Sequence, residues 1–286
     1  MRPNEMLVRL SVSLVFLSVA MFIAGCAAPS PQTRLDNARA LAGRAGWDAV
    51  DFPGRRFTLS GFQPAGPPRP TKIVAVYFEG DGVAWQSPDT PSDDPTPIHP
   101  VALELALAHP GGTVAYVARP CQFRPQTGQP CDQRYWTNAR YAPEVVEDMD
   151  HAVDMIERRT GASQVVLVGY SGGGALAALV AARRHDVALL VTVAANTDIA
   201  AWTRIQRLRP LNESLDPANF AASLKAVPQV HFVGSDDTVV PPSIARAFAA
   251  HFPASAPVRT IEIDGFDHTC CWVQRWPALI APLLPR

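Results

Sequence analysis

Three residues, far apart in this chain, have the side chains that acyl transfer to a serine requires. Ser171 stands in "GYSGG" (169–173), Asp237 in "GSDDTVVP" (234–241) and His268 in "IDGFDHTCCW" (263–272). A serine hydroxyl is a weak nucleophile at neutral pH, so it needs a histidine to take its proton and a carboxylate to orient that histidine. Gly169-Tyr170-Ser171-Gly172-Gly173 fits G-x-S-x-G, and its setting carries more weight than its five letters. "VVLV" precedes it and "GGALAALV" follows, so a strand feeds a helix through a turn too sharp for side chains at its glycines. The helix N-terminus and the amide of Gly172 then face any charge that develops on a substrate oxygen. A phosphate-binding loop is excluded, because no Gly-Lys-Ser/Thr follows.

Asp237 lies four residues before Pro241, in a D-x-x-V-P loop directly after a strand. Asp236 is its turn-forming neighbour, and Asp198, after the preceding strand, is the alternative acid. Position singles out His268 among seven histidines, since it follows the last strand. His185 ends the helix behind the serine, His231 lies within a strand, His251 closes a helix, and His99, His109 and His151 precede the serine. The adjacent Cys270 and Cys271 beside His268 raise a zinc site as an alternative. Structural zinc, however, uses cysteines two to four residues apart so that both sulfurs converge, and no second well-spaced pair exists. No metal and no cofactor are expected.

These residues must be carried by a regular frame. Strands are expected at 56–62, 72–78, 113–120, 164–168, 187–194, 229–234 and 258–263, and helices at 35–47, 100–110, 142–161, 173–185 and 242–252. The 142–161 helix has proline in its first turn and glycine just past its end. Alternating strands and helices, with continuously apolar strands, predict an α/β protein: a mostly parallel doubly wound sheet covered on both faces. Ligands bind at the carboxyl edge of such sheets, and the strandless stretch 196–228 is expected as a small cap over that edge. Hydrophobic residues at 48% supply ample core material, and a net charge of −1 excludes a nucleic-acid partner of the usual basic kind.

The first residues differ from the rest. Arg2 and Arg9 precede the uncharged run "SVSLVFLSVAMFIAG", which ends at Cys26. This is the build of a signal peptide, and the run is short for a membrane span. "IAGC" (23–26) matches the lipobox of bacterial lipoproteins, so Cys26 is expected to become the lipidated first residue of an envelope protein. Loss of Arg2, Arg9 and Glu5 takes the net charge from −1 to −2. The expected organisation is a signal peptide at 1–25, a lipidated N-terminus, tether and short helix at 26–54, and a catalytic domain at 55–286. Export makes disulfides the expected state of Cys121, Cys131, Cys270 and Cys271, which allow three connectivities. "CQFRPQTGQPC" favours Cys121–Cys131. Cys270 and Cys271 either bond to each other or to the 121–131 segment, and in either case brace the His268 loop.

"GYSGG", "GSDDTVVP" and "GFDH", in that order, resemble the α/β-hydrolase family over roughly residues 55–286. "YFEGDGVAW", "ARPCQF", "YWTNARYAPEVV" and "GFDHTCCW" resemble, more narrowly, a group of exported bacterial α/β-hydrolase lipoproteins. The resemblance implies the α/β-hydrolase fold, a Ser171–His268–Asp237 triad and an oxyanion hole, but no substrate. Many relatives carry His-Gly after the third strand, where this chain has Glu79-Gly80-Asp81-Gly82. The amide of Asp81 then joins that of Gly172 as oxyanion donor, while the Glu79 and Asp81 carboxylates must turn away and bond elsewhere. Trp85, Tyr170 and Trp272 are candidates either to line the pocket or to fill the core. The expected activity is cleavage of a carboxylic ester, or a related acyl bond, on a small-molecule substrate through an acyl-enzyme. The alternative is a non-catalytic envelope lipoprotein that uses the same fold to bind.

Overall fold

The computed structural model describes residues 28–68, 70–124 and 131–285; Cys26 and the segment 1–25 expected as a signal peptide lie outside them. Helix α1 (Pro31–Arg44) buries Leu35, Ala38 and Ala42, a stripe at helical spacing. It starts and stops earlier than the expected 35–47 helix. Gly46, at φ 73, turns the chain into β1 (Trp47–Pro53). This strand pairs antiparallel with β2 (Thr58–Pro64), so the sheet begins at Trp47 and not at residue 55. Only Phe52 of β1 is buried, and Asp48 and Asp51 face solvent, which disguises the strand as a polar loop while protecting a sheet edge.

The remaining elements are β3 (Ile73–Phe78), a small hairpin of β4 (Trp85–Ser87) and β5 (Thr90–Pro91), α2 (Val101–Leu107), β6 (Thr113–Val117) and α3 (Pro143–Thr160). They continue with β7 (Gln164–Tyr170), α4 (Gly172–Ala181), β8 (Val187–Val193), α5 (Ile199–Ile205), α6 (Ala221–Leu224) and β9 (Gln229–Gly234). Helix α7 (Pro242–Ala249), β10 (Val258–Ile263) and α8 (Trp272–Ile280) complete the order. The eight-stranded sheet runs β1-β2-β6-β3-β7-β8-β9-β10 and is parallel from β6 onward.

Alternation along the central strands builds two core layers. Val74, Val76 and Phe78 of β3, with Val165 and Leu167 of β7, face α3 and α4. Ala75 and Tyr77, with Val166 and Val168, face α1, α2 and α8. Every residue of α4 is buried, as befits the helix that carries the serine turn. Helix α8 had no counterpart in the expected elements, since Pro277 lies inside it; Trp272, Trp276 and Ile280 anchor it in the core.

The 196–228 stretch contains no strand and forms the crossover from β8 to β9. Its Ala218 and Leu224 join the α3–α4 core layer, so that half is not a cap. The other half stays at the carboxyl edge: Trp202 of α5 packs with Val240 and donates its indole N–H to the Val239 carbonyl at 2.9 Å.

One buried carboxylate fastens the β1–β2 hairpin. Asp148 of α3 accepts the amides of Arg55 at 2.7 Å, Arg56 at 2.9 Å and Phe57 at 2.7 Å. Hydrogen bonds to a charged group contribute about 1.5–3 kcal/mol each. Asp148→Ala is therefore expected to destabilise the fold by about 3 kcal/mol or more, lowering Tm by roughly 6–12 °C. Thermal unfolding followed by circular dichroism checks this, and a Tm unchanged from wild type would mean that water replaces the carboxylate.

Candidate active site

Strand β7 delivers its chain end to the middle of the carboxyl edge, where Ser171 takes φ 50 and ψ −125. This left-handed backbone is unusual for a residue with a side chain. Two hydrogen bonds hold it: the Ser171 amide donates to Val193 at the end of β8 at 2.9 Å, and the Gly174 amide donates to the Ser171 carbonyl at 2.9 Å. A methyl group on Gly169 would overlap the Gly173 carbonyl, and one on Gly173 would overlap the carbonyls of Phe78 and Glu79. The glycines of "GYSGG" are thus required by close packing around the turn.

His268 sits between the serine and Asp237. Its Nε2 lies 3.1 Å from Ser171 Oγ, and its Nδ1 lies 2.9 Å from Asp237 Oδ2. The Asp237 side chain is fully buried, and its other oxygen accepts the amides of Val239 at 2.9 Å and Val240 at 2.8 Å. With Oδ1 occupied by amides, Oδ2 is free to hold Nδ1–H and leave Nε2 as acceptor toward the serine. The two other aspartates do different work. Asp236 is exposed and accepts from its neighbour Ser235. Asp198 caps α5 through the Ala201 amide at 2.8 Å and faces His251 at 3.3 Å.

The loop that carries His268 is tied down at its backbone. Tyr170 donates its hydroxyl to the His268 carbonyl at 2.9 Å, and Trp272 its indole N–H to the Asp267 carbonyl at 3.1 Å. The Asp267 carboxylate accepts the amides of Thr269 at 2.7 Å and Cys270 at 2.6 Å. Cys270 and Cys271 are disulfide-bonded to each other, and Cys121 to Cys131 with Cα atoms 5.6 Å apart. Trp272 is a core residue, Tyr170 packs its ring 5.4 Å from that of His268, and Trp85 is exposed on β4.

The segment after β3 lies against the serine turn. A methyl on Gly80 would touch the Ser171 and Tyr170 side chains, and one on Gly172 would collide with the Asp81 carboxylate. Among the described residues neither the Asp81 nor the Gly172 amide donates a hydrogen bond. The Asp81 carboxylate is held by Arg119 on one oxygen and by Arg140 at 2.6 Å on the other, with the Tyr141 hydroxyl at 3.3 Å. Burial alone would raise this carboxyl, but the charges and hydrogen bonds of Arg140 and Arg119 hold it down at about 2. Glu79 is buried without a cation. It accepts Gly80 N–H at 2.8 Å, the Tyr116 hydroxyl at 3.0 Å and Ala102 N–H at 3.4 Å. Burial outweighs these bonds and pushes it up to about 7.

Nothing in the motif spacing singles out Arg119, Gln122, Arg140 and Tyr141 as site residues. Gln122 donates to the Gly80 carbonyl at 2.9 Å, so "RPCQF" also holds the loop that follows β3. The available signal was two arginines and a glutamine inside motifs already quoted, next to a loop with two carboxylates to neutralise.

The geometry can be compared with known proteins. A family model described as "Serine hydrolase (FSH1)" matches residues 106–268, which include Ser171, Asp237 and His268. No curated protein sequence matches the chain significantly. Solved structures share the fold at low identity. The lidless α/β serine hydrolase XC6422 of Xanthomonas campestris aligns with TM-score 0.54 and 13% identity over 84% of this chain and 96% of its own. Est1E of Butyrivibrio proteoclasticus gives TM-score 0.58 and 13% identity over 82% and 96%. The Pyrococcus furiosus esterase Pf2001 gives TM-score 0.58 and 14% identity over 83% and 91%. The fold is therefore the α/β-hydrolase fold, and the chain belongs to the FSH1 serine hydrolase family.

Proposed function

We propose that this enzyme cleaves a carboxylic ester of a small molecule through an acyl-enzyme, with Ser171 as nucleophile, His268 as general base then acid, and Asp237 as the orienting carboxylate. The observation that carries this reading is the bridge of His268 between Ser171 at 3.1 Å and Asp237 at 2.9 Å. Ser171 Oγ attacks the carbonyl carbon and passes its proton to His268 Nε2, while Asp237 stabilises the imidazolium through Nδ1–H. The carbonyl oxygen becomes an oxyanion, met by the amides of Gly172 and Asp81 at the positive end of α4. Collapse breaks the bond to the leaving alcohol, which takes the proton from Nε2. Water then repeats the sequence on the acyl-enzyme, and the acid departs as Ser171 regains its proton. Arg119 and Arg140 keep the neighbouring Asp81 carboxylate neutralised, which removes its repulsion of the oxyanion.

We further propose that the chain is a lipoprotein of the bacterial cell envelope, anchored through Cys26. Its basic start, apolar run and lipobox support this reading. No helix among the described residues is long and apolar enough to cross a membrane. Labelling with a fatty-acid analogue, retained in wild type and lost in Cys26→Ala, is the expected outcome.

Activity is tested with nitrophenyl esters of graded chain length and a fluorophosphonate label. Ser171→Ala is expected to abolish labelling and to lower kcat by on the order of 10⁴-fold or more; labelling that persists in Ser171→Ala would sink the assignment. Glu79 adds a pH dependence of stability. Its folded value near 7 lies above its ordinary 4.5, so the folded chain holds a proton that the unfolded chain gives up. The stabilisation from that proton is complete below the ordinary value and is lost as pH rises through about 7. Glu79→Gln is therefore expected to gain on wild type in Tm between pH 5 and pH 8, by several degrees. An equal Tm difference at both pH values would show that Glu79 stays ionised throughout.

A further inference from the structure

Four large hydrophobic side chains are exposed among the described residues: Trp85, Ile205, Leu208 and Val239. Three of them lie on two neighbouring segments. Ile205 ends α5, Leu208 follows in the next turn, and Val239 stands in the loop after β9 that carries Asp237. The two segments are tied together. Gln206 donates to the carbonyls of Thr238 at 2.6 Å and Val239 at 2.7 Å, and Trp202 donates to the Val239 carbonyl at 2.9 Å. The Val239 amide in turn donates to Asp237, so the patch borders the acid that faces His268.

The charged residues along "RIQRLR" (204–209) are all arginines, while the Val239 loop carries the exposed Asp236. Arg204, Arg207 and Arg209 are exposed, and among the described residues none forms an ion pair. They contrast with Arg119, Arg140 and Arg184, whose guanidiniums are each held by carboxylates. Other exposed cations, Arg55, Arg56, Arg158 and Arg159 among them, also form no ion pair among the described residues; the 204–209 arginines differ in being interleaved with the exposed Ile205 and Leu208. Exposed aliphatic side chains interleaved with arginines suit the boundary between lipid headgroups and acyl chains: the aliphatic groups enter the boundary and the guanidiniums meet phosphates. An acidic protein partner would use the arginines but leave Ile205 and Leu208 without purpose.

We propose that the 204–209 turn and Val239 form a docking surface for an anionic phospholipid bilayer, which turns the carboxyl edge and its serine toward the membrane. The substrate class that follows is an ester that partitions into that membrane, with its acyl or alkyl chain entering past the patch. The proposal rests on the reading of the chain as a membrane-anchored protein, which keeps the surface near lipid. Each arginine near an anionic surface contributes a favourable term that salt screens.

The test uses the full lipidated chain on two vesicle types, phosphatidylcholine alone and phosphatidylcholine mixed with phosphatidylglycerol. The readouts are flotation and trypsin nicking after Arg204 and Arg207. The expected result is equal flotation with both vesicle types, but about tenfold slower nicking on the phosphatidylglycerol vesicles. High salt should abolish that protection. Ile205→Ser/Leu208→Ser should lose most of it while turning over a water-soluble nitrophenyl ester at the wild-type rate. Equal nicking on both vesicle types, with flotation intact, overturns the docking surface and leaves the anchor standing. A chain that floats with neither overturns the anchored reading itself. Protection by soluble polyglutamate and not by phosphatidylglycerol vesicles assigns the surface to an acidic protein and overturns the proposal.

Discussion

The backbone of Ser171 is the constraint on which the rest of this architecture depends. A serine at φ 50 is held in a sparsely populated conformation that costs of order 1–3 kcal/mol and lasts only where its surroundings fix it. Here the fixing comes from three directions. The amide is committed to β8, the carbonyl starts α4, and α4 is buried along its whole length. Because glycine at 173 lets the carbonyls of Phe78 and Glu79 pass close by, the end of β3 is drawn against the same turn. The loop that follows β3 therefore has one place to go, across the top of the serine.

That loop carries two carboxylates in different electrostatic states two residues apart. Asp81 is ionised well below neutrality because two guanidiniums outweigh its burial, whereas Glu79 has only hydrogen-bond donors and titrates near neutrality. The difference is chiefly one of partners, since Glu79 is buried and Asp81 largely so. Arg119 and Arg140 reach Asp81 from the segments after β6 and before α3. The neutralising charges thus belong to the same layer of loops that closes the carboxyl edge.

The parts legible in the sequence were those encoded locally. Strands β9 and β10 were expected with the ends they have, because unbroken apolar or alternating runs sit between clear turn residues. Ser171, Asp237 and His268 could be singled out because each follows a strand and their order along the chain is distinctive. Strand β1 hid behind Asp48 and Asp51, and the β4–β5 hairpin behind its prolines. The hold on Asp81 was illegible for another reason: Arg119 and Arg140 lie 38 and 59 residues from it, and a buried ion pair leaves no periodic trace in either segment. The cap was half right, since 196–228 divides between a core crossover and an edge turn, and composition alone does not separate the two.

Tyr170 fills the first variable position of G-x-S-x-G. Here its hydroxyl is bonded to the backbone of His268, whose ring nitrogen faces the Ser171 hydroxyl. Ser171 and the His268 loop are thereby yoked through adjacent positions in one motif. Substitutions at 170 should be epistatic with those in the 267–272 loop, so the lineage of this enzyme can explore one only in company with the other.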